Sequence, residues 1–309
     1  MAAVFASFLA FLKSGDHLLA SKAVFGSSYT IITQYLPKWG ISFDWLPADT
    51  AQWQSLVKPN TKMLFLETPS NPGLDVVDIA FTGQFCKRNS LIFNIDNCFA
   101  TPYLQQPARF GADLISHSAT KWIDGQGRVL GGVVAGSKAM ISEVKKLCRS
   151  TGPSLSPFNA WVLSKSLETL AVRMDRHCEN ALLLAQYLAQ NGQVARVIYP
   201  FLDSHPMSAV AKQQMKKGGG IVAFEIKGGL EAGRRFLNAV KMCSLSANLG
   251  DTRTIVTHPA STTHAKLTEE FRQGVGITNS LVRVSVGLEH IDDIVADIDN
   301  ALKSSVDEG

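Results

Sequence analysis

The first half of the chain alternates short apolar runs with stretches of helical spacing. Residues 2–13 are apolar and Ala-rich with a helical pattern, and they stop at Ser14-Gly15-Asp16, a turn signal. A short apolar run follows at 17–21. Residues 28–39 have mixed helical spacing closed by Gly40, residues 41–46 alternate as a strand does, and 51–57 predict a short helix. Residues 62–67 (KMLFLE) and 91–96 (LIFNID) are near-continuous apolar runs, the pattern of strands buried on both faces. Between them, 76–88 is amphipathic and helical. Residues 112–116 (ADLIS) and 130–135 (LGGVVA) predict two more strands. Strands separated by helices imply an α/β fold with a mostly parallel sheet covered on both faces.

Pro153 and Pro157 punctuate the middle. Residues 159–190 then run without Pro or Gly and predict one long helix spanning the joint between two domains. Strands at 194–199, 221–226 and 281–286, helices at 230–240 and 291–304, and a loop from 248 to about 264 suit a smaller α+β domain. The division predicted is 1–165 and 166–309.

Composition narrows the function. There are 30 Lys+Arg against 26 Asp+Glu in 309 residues, a formal charge of +4, without the basic runs of a nucleic-acid arm. Charged residues make up 18%, against roughly 25% in an average soluble domain, which predicts surface covered by another subunit. The charge-free start up to Leu12 has no Lys or Arg before it and is shorter than the about 20 apolar residues of a membrane span, so it predicts a buried helix. Cys86, Cys98, Cys148, Cys178 and Cys243 are scattered, as in a reducing, cytoplasmic setting.

In an open parallel sheet, ligands bind beyond the carboxyl ends of the strands. Three predicted strand ends carry chemistry: Glu67 to Pro72 (ETPSNP), Asp96-Asn97, and Ser116 to Lys121 (SHSATK). A carboxylate ending a buried run is costly without a partner. A lone lysine is ordinarily a solvated surface cation, but in an apolar Ser/Thr-lined turn its pKa falls and it becomes a nucleophile. Asp96 and Lys121 together, with hydroxyls beside the lysine, point to pyridoxal phosphate: lysine for a Schiff base, aspartate for the pyridinium nitrogen, hydroxyls for the phosphate. His117 is expected to be an oriented structural histidine. His258 and His264 lack the surroundings of a metal site. Gly125, Gly127, Gly131 and Gly132 miss the G-x-G-x-x-G spacing. Cys98 is expected to be packing.

The string SHSATKWIDGQGRVLGG, with ETPSNP and NIDNCFATP before it and LVRVSVGLEH after it, resembles the Cys/Met-metabolism family of pyridoxal-phosphate enzymes. DGQGR, LPKWGI, TGPSLSPFNAW and NLGDTRTIVTHPASTTH look most like the family's sulfhydrylases of O-succinylhomoserine. The resemblance runs from Met1 nearly to the C-terminus. It implies an aspartate aminotransferase-like (fold type I) architecture, small-molecule substrates (an O-acylhomoserine and sulfide), and a tetramer of dimers with shared sites. It implies Lys121 as Schiff-base lysine and proton shuttle, and Asp96 at the pyridine nitrogen. Asn71 is implied near the phenolic oxygen, Ser118 and Thr120 on the phosphate, and Arg283 on the substrate α-carboxylate. Phe25 stands where most relatives carry a ring-stacking Tyr, and the sulfhydrylases resembled here also carry Phe. Asn248 stands where many relatives have Ser.

One departure is expected to matter. In the family a glycine just before the Met-Ala-Ala helix start, and an upstream segment lending Tyr and Arg to a neighbouring subunit, hold the phosphate. No Y-S-R-x-x-N-P-T-like string occurs here. This sets a γ-replacement enzyme, with cystathionine γ-synthase or methionine γ-lyase chemistry as relatives of the same site, against a chain of impaired activity that grips its cofactor weakly.

Overall fold

The computed structural model describes residues 1–262, 268, 269, 272 and 276–305. Strands β1 (His17–Ser21), β2 (Ser42–Leu46), β3 (Thr61–Glu67), β4 (Ile92–Asp96), β5 (Leu114–Ser118) and β6 (Gly132–Gly136) form one sheet in the order β2-β1-β3-β4-β5-β6. All neighbours are parallel except β5 and β6. The two-residue period of a strand sorts the apolar runs onto two faces. Leu18, Ala20, Met63, Phe65 and Leu114 meet the first helix, α1 (Ala2–Leu9), through Val4 and Phe8. Leu19, Leu64, Leu66, Phe93, Ile95 and Ile115 meet the next amphipathic one, Ile79–Arg88, through Ile79 and Phe85.

The second sheet is built from β7 (Val194–Ile198), β8 (Ile221–Ile226), β9 (Ser244–Leu245), β10 (Ile255–Thr257) and β11 (Leu281–Ser285), in the order β7-β8-β11-β10-β9. On β11, Val282 and Val284 face a core shared with the helices Leu170–Gln190, Gly229–Ala239 and Ile291–Lys303. Leu281 faces the opposite way, into a cluster with Trp122, Leu170, Met174 and Leu249 that joins the two sheets. Arg283 shares that face by the same alternation.

The structure corrects several expectations. The long helix at 159–190 is two helices, Pro157–Leu167 and Leu170–Gln190. No Pro or Gly marks the break. The last turn tightens, with Glu168 N and Thr169 N donating to Lys165 O and Ser166 O at 3.3 and 3.2 Å, and the Arg173 guanidinium braces the break by donating to Ser166 O at 3.0 Å and to Thr169 Oγ1 at 3.2 Å. The ADLIS strand runs two residues later, from Leu114 to Ser118. The predicted loop from 248 contains β10. Helix Lys138–Thr151, whose single buried residue is Val144, has no counterpart in the predicted elements. Among the described residues no helix is long and apolar enough to cross a membrane.

Candidate active site

Strands β3, β4 and β5 end side by side at Glu67, Asp96 and Ser118. Parallel pairing puts Glu67 opposite Asp96. Both carboxyls are buried. Burial, and the charge of Asp96, push Glu67 well above the usual carboxylate range, against the backbone amides of Phe25 and Asn71. Burial lifts Asp96 to about 6, against a 2.9 Å hydrogen bond from Cys98 N. A cation beside Asp96 would draw it back to the ionised form.

Beyond β5 the chain turns, with Lys121 N donating to Ser118 O at 3.1 Å and Gly125 N to Lys121 O at 2.8 Å. Lys121 Nζ donates to Asn248 Oδ1, on a segment of the second half of the chain. Burial lowers the Lys121 pKa; the nearby Cys98 thiol opposes this and the Arg283 charge reinforces it. Gly250 holds the two segments together. Its φ is +78°, and a Cβ there would stand 2.7 Å from Trp122 N and 2.8 Å from Lys121 C. Gly250 N is in turn fixed by Ser285 Oγ at 2.9 Å.

Arg283, 1% exposed, donates to Asn71 Oδ1 at 2.8 Å and to the carbonyls of Ala247 and Asn248 at 3.2 and 3.0 Å. Its Nε is buried without a protein partner. Burial brings its guanidinium down to about 10. Asn71 accepts from Arg283, so its NH2 is the group available to a ligand oxygen. Phe25 is half-buried at the start of the short helix Gly26–Thr30, its N–H donating to Glu67 Oε2 at 2.7 Å. Thr120 Oγ1 exchanges hydrogen bonds with Gly131, donating to its O at 3.2 Å and accepting from its N at 3.0 Å. Its proton is therefore in use, and to donate to an anion it has to release Gly131 O.

Hydrogen bonds thus join Lys121 to Asn248 and Asn248 to Arg283, and Arg283 to Asn71, while Asp96 sits at the neighbouring strand end. Of the other candidates, Cys98 borders this network, with its N–H on Asp96 and its thiol near Lys121. His117 is buried, with its pKa lowered to about 4, and His258 is bonded through both ring nitrogens, to Ser261 Oγ and Asn279 O. Cys98 Sγ lies 3.9 Å from Ser118 O, and burial raises its pKa. His264 is outside the described residues. Sequence reasoning named the segment that Glu67 opens but gave Glu67 no role, and it passed over Gly250. Glu67 carried a usable signal, since like Asp96 it is an acid closing a buried run. Gly250 carried none, because its neighbour is 128 positions away.

The donor set fits pyridoxal phosphate: an amine of lowered pKa for the aldehyde, a carboxyl for the ring nitrogen, an amide NH2 for the phenolic oxygen, and a serine hydroxyl at a strand end. The orphaned Arg283 Nε adds a donor ready for an anionic ligand. Known proteins agree. The O-succinylhomoserine sulfhydrylase of Pseudomonas aeruginosa is 46% identical over 303 residues, 98% of this chain and 75% of that protein. An L-methionine gamma-lyase of Pseudomonas putida is 40% identical over 308 residues, 99% of this chain and 77% of that protein. A Campylobacter jejuni structure solved with N'-pyridoxyl-lysine-5'-monophosphate superposes with a TM-score of 0.94 at 33% identity, covering 98% of this chain and 80% of that one. Residues 1–303 match the family model described as Cys/Met metabolism PLP-dependent enzyme, and the chain belongs to that family.

Proposed function

We propose that this chain exchanges the succinyloxy group of O-succinyl-L-homoserine for sulfide, giving L-homocysteine and succinate. The C–O bond at Cγ breaks and a C–S bond forms there. The observation that carries this reading is the Lys121–Asn248–Arg283–Asn71 network beside Asp96, in a chain 46% identical to an O-succinylhomoserine sulfhydrylase. Pyridoxal phosphate, when bound, supplies the aldehyde that captures the substrate amine and the ring that takes up electrons from the broken C–H bonds. Arg283 receives the α-carboxylate at Nε, the nitrogen its protein partners leave free, and orients the Cα–H. Lys121, its basicity tempered by burial, removes and returns protons at Cα and Cβ. Asn248 holds the amine between these tasks. Asp96 keeps the ring nitrogen charged, and Ser118, with Thr120 if it releases Gly131, takes the phosphate.

The methionine γ-lyase relatives support a second reading in which the same groups eliminate a thiol instead. Phe25, which has no hydroxyl to protonate a leaving group, supports replacement. We further propose cytoplasmic placement, supported by five free thiols, and a cofactor domain at 1–165 with a second domain at 166–309, supported by one sheet in each. A homo-oligomer is supported by Phe158, Trp161 and Val172, which are 65%, 60% and 68% exposed along neighbouring helices.

The test is a product assay with pyridoxal phosphate, O-succinyl-L-homoserine and sulfide, paired with borohydride trapping and peptide mapping. Homocysteine and succinate in equal amounts, with the adduct on Lys121, support the proposal. Ammonia and thiol from methionine without replacement would favour the second reading.

A further inference from the structure

We infer that Glu67 is a positioning residue of this site, its single buried carboxylate fixing the backbone at both Phe25 and Asn71. The inference rests on the assignment of those two residues to the cofactor's ring and phenolic oxygen. Glu67 is the last residue of β3 and 3% exposed. Its Oε2 accepts the Phe25 N–H at 2.7 Å, and the Asn71 amide stabilises the same carboxylate. Phe25 is 42 positions before it and Asn71 four after, so one side chain ties the turns that follow the paired strands β1 and β3.

The choice of an acid is informative. A buried carboxylate beside a second one, Asp96, weakens the fold relative to an apolar side chain of equal volume. A carboxylate offers two acceptor oxygens to two N–H groups; glutamine offers one. Asn71 also accepts from Arg283, so an Asn71 backbone held by Glu67 connects the substrate-carboxylate arginine to the cofactor's seat. Glu67 touches neither substrate nor reacting atoms in this scheme. It acts through the two residues it holds.

The experiment compares wild type with Glu67→Gln. Three quantities are read: the dissociation constant for pyridoxal phosphate by absorbance titration, the visible circular dichroism of the bound cofactor, and the melting temperature of the apoprotein. The expected result is a dissociation constant raised roughly 10-fold or more and a weakened dichroic band, with the apoprotein melting within a few degrees of wild type. Wild-type affinity and dichroism in the variant would overturn the inference, as would an affinity loss matched by an equal loss of folded protein. If the variant does not fold, amide hydrogen exchange on the wild-type protein decides. Slow exchange at Phe25 and Asn71 supports the clamp, and exchange as fast as in open turns overturns it. Wild type that fails to bind the cofactor at Lys121 overturns the site assignment instead, while the exchange measurement still reports on Glu67.

Discussion

Burial beside Arg283 lowers the basicity of Lys121, as the proposed proton transfers near neutral pH require. Lys121→Ala is expected to lower kcat by about 10²–10⁴-fold with the fold intact, checked by steady-state kinetics and circular dichroism. Arg283 spreads three hydrogen bonds from a planar fork, which an ammonium cannot reproduce. Arg283→Lys is expected to raise KM for the amino-acid substrate by about 10–100-fold, with a smaller change in kcat. At this scale the sequence was informative where an acid, amine or amide closed an apolar run, as at Asp96 and Lys121. Neither the Lys121–Asn248 pair nor the Arg283–Asn71 pair could be read, since they are 127 and 212 positions apart and only the packing of two sheets joins them.

The elements were legible where burial wrote the pattern. The runs at β3 and β4 are apolar on both faces because helices cover both, and their bounds were nearly recovered. Helix Lys138–Thr151 was missed although Met140, Ile141, Val144, Leu147 and Cys148 recur at helical spacing and pack on the α1 cluster, a stripe the reading of the sequence overlooked. The reversed direction of β6 was hidden because a Gly-rich run gives no orientation. The break before helix Leu170–Gln190 was hidden because no Pro or Gly marks it and the arginine that braces it comes from the following turn. The segment leading into β10 depends on the Gly250 backbone lying against the Lys121 turn. Gly250→Ala is expected to cost about 2–5 kcal/mol, from the left-handed φ and the close approach to Trp122 N, measured by urea unfolding. Cofactor affinity should fall in the same variant, because Lys121 has to move with the turn.

At the scale of the whole molecule, stability and assembly follow from what is buried and what is left open. His117 and His177 are buried, their pKa values lowered to about 4 chiefly by desolvation. The folded state therefore prefers them neutral. Their contribution is fully present above about pH 6.5 and is lost as pH falls from there towards 4. Glu67 and Asp96, raised by burial, have the opposite sign, costing stability above their folded pKa and returning it on acidification. His177→Gln is expected to shrink the loss of apoprotein unfolding free energy between pH 7 and 4.5 by about 2–3 kcal/mol, checked by urea titrations at both pH values. The exposed Phe158 and Trp161 rings, 6.1 Å apart, form an uncovered apolar face. Phe158→Glu with Trp161→Glu is expected to lower the mass seen in light scattering while leaving the monomer's circular dichroism unchanged.

The bond between Arg283 and Asn71 also has a meaning in time. During synthesis the first sheet emerges complete by residue 136, and its local pairings can form while the rest of the chain is still being made. The lysine, the aspartate and the asparagine are then present, but the arginine that fixes the asparagine has yet to be translated. A ribosome-bound fragment ending before β11 therefore carries Lys121, Asp96 and Asn71 without the guanidinium that bonds Asn71. The contact between Arg283 and Asn71 is therefore among the later ones to form in the growing chain.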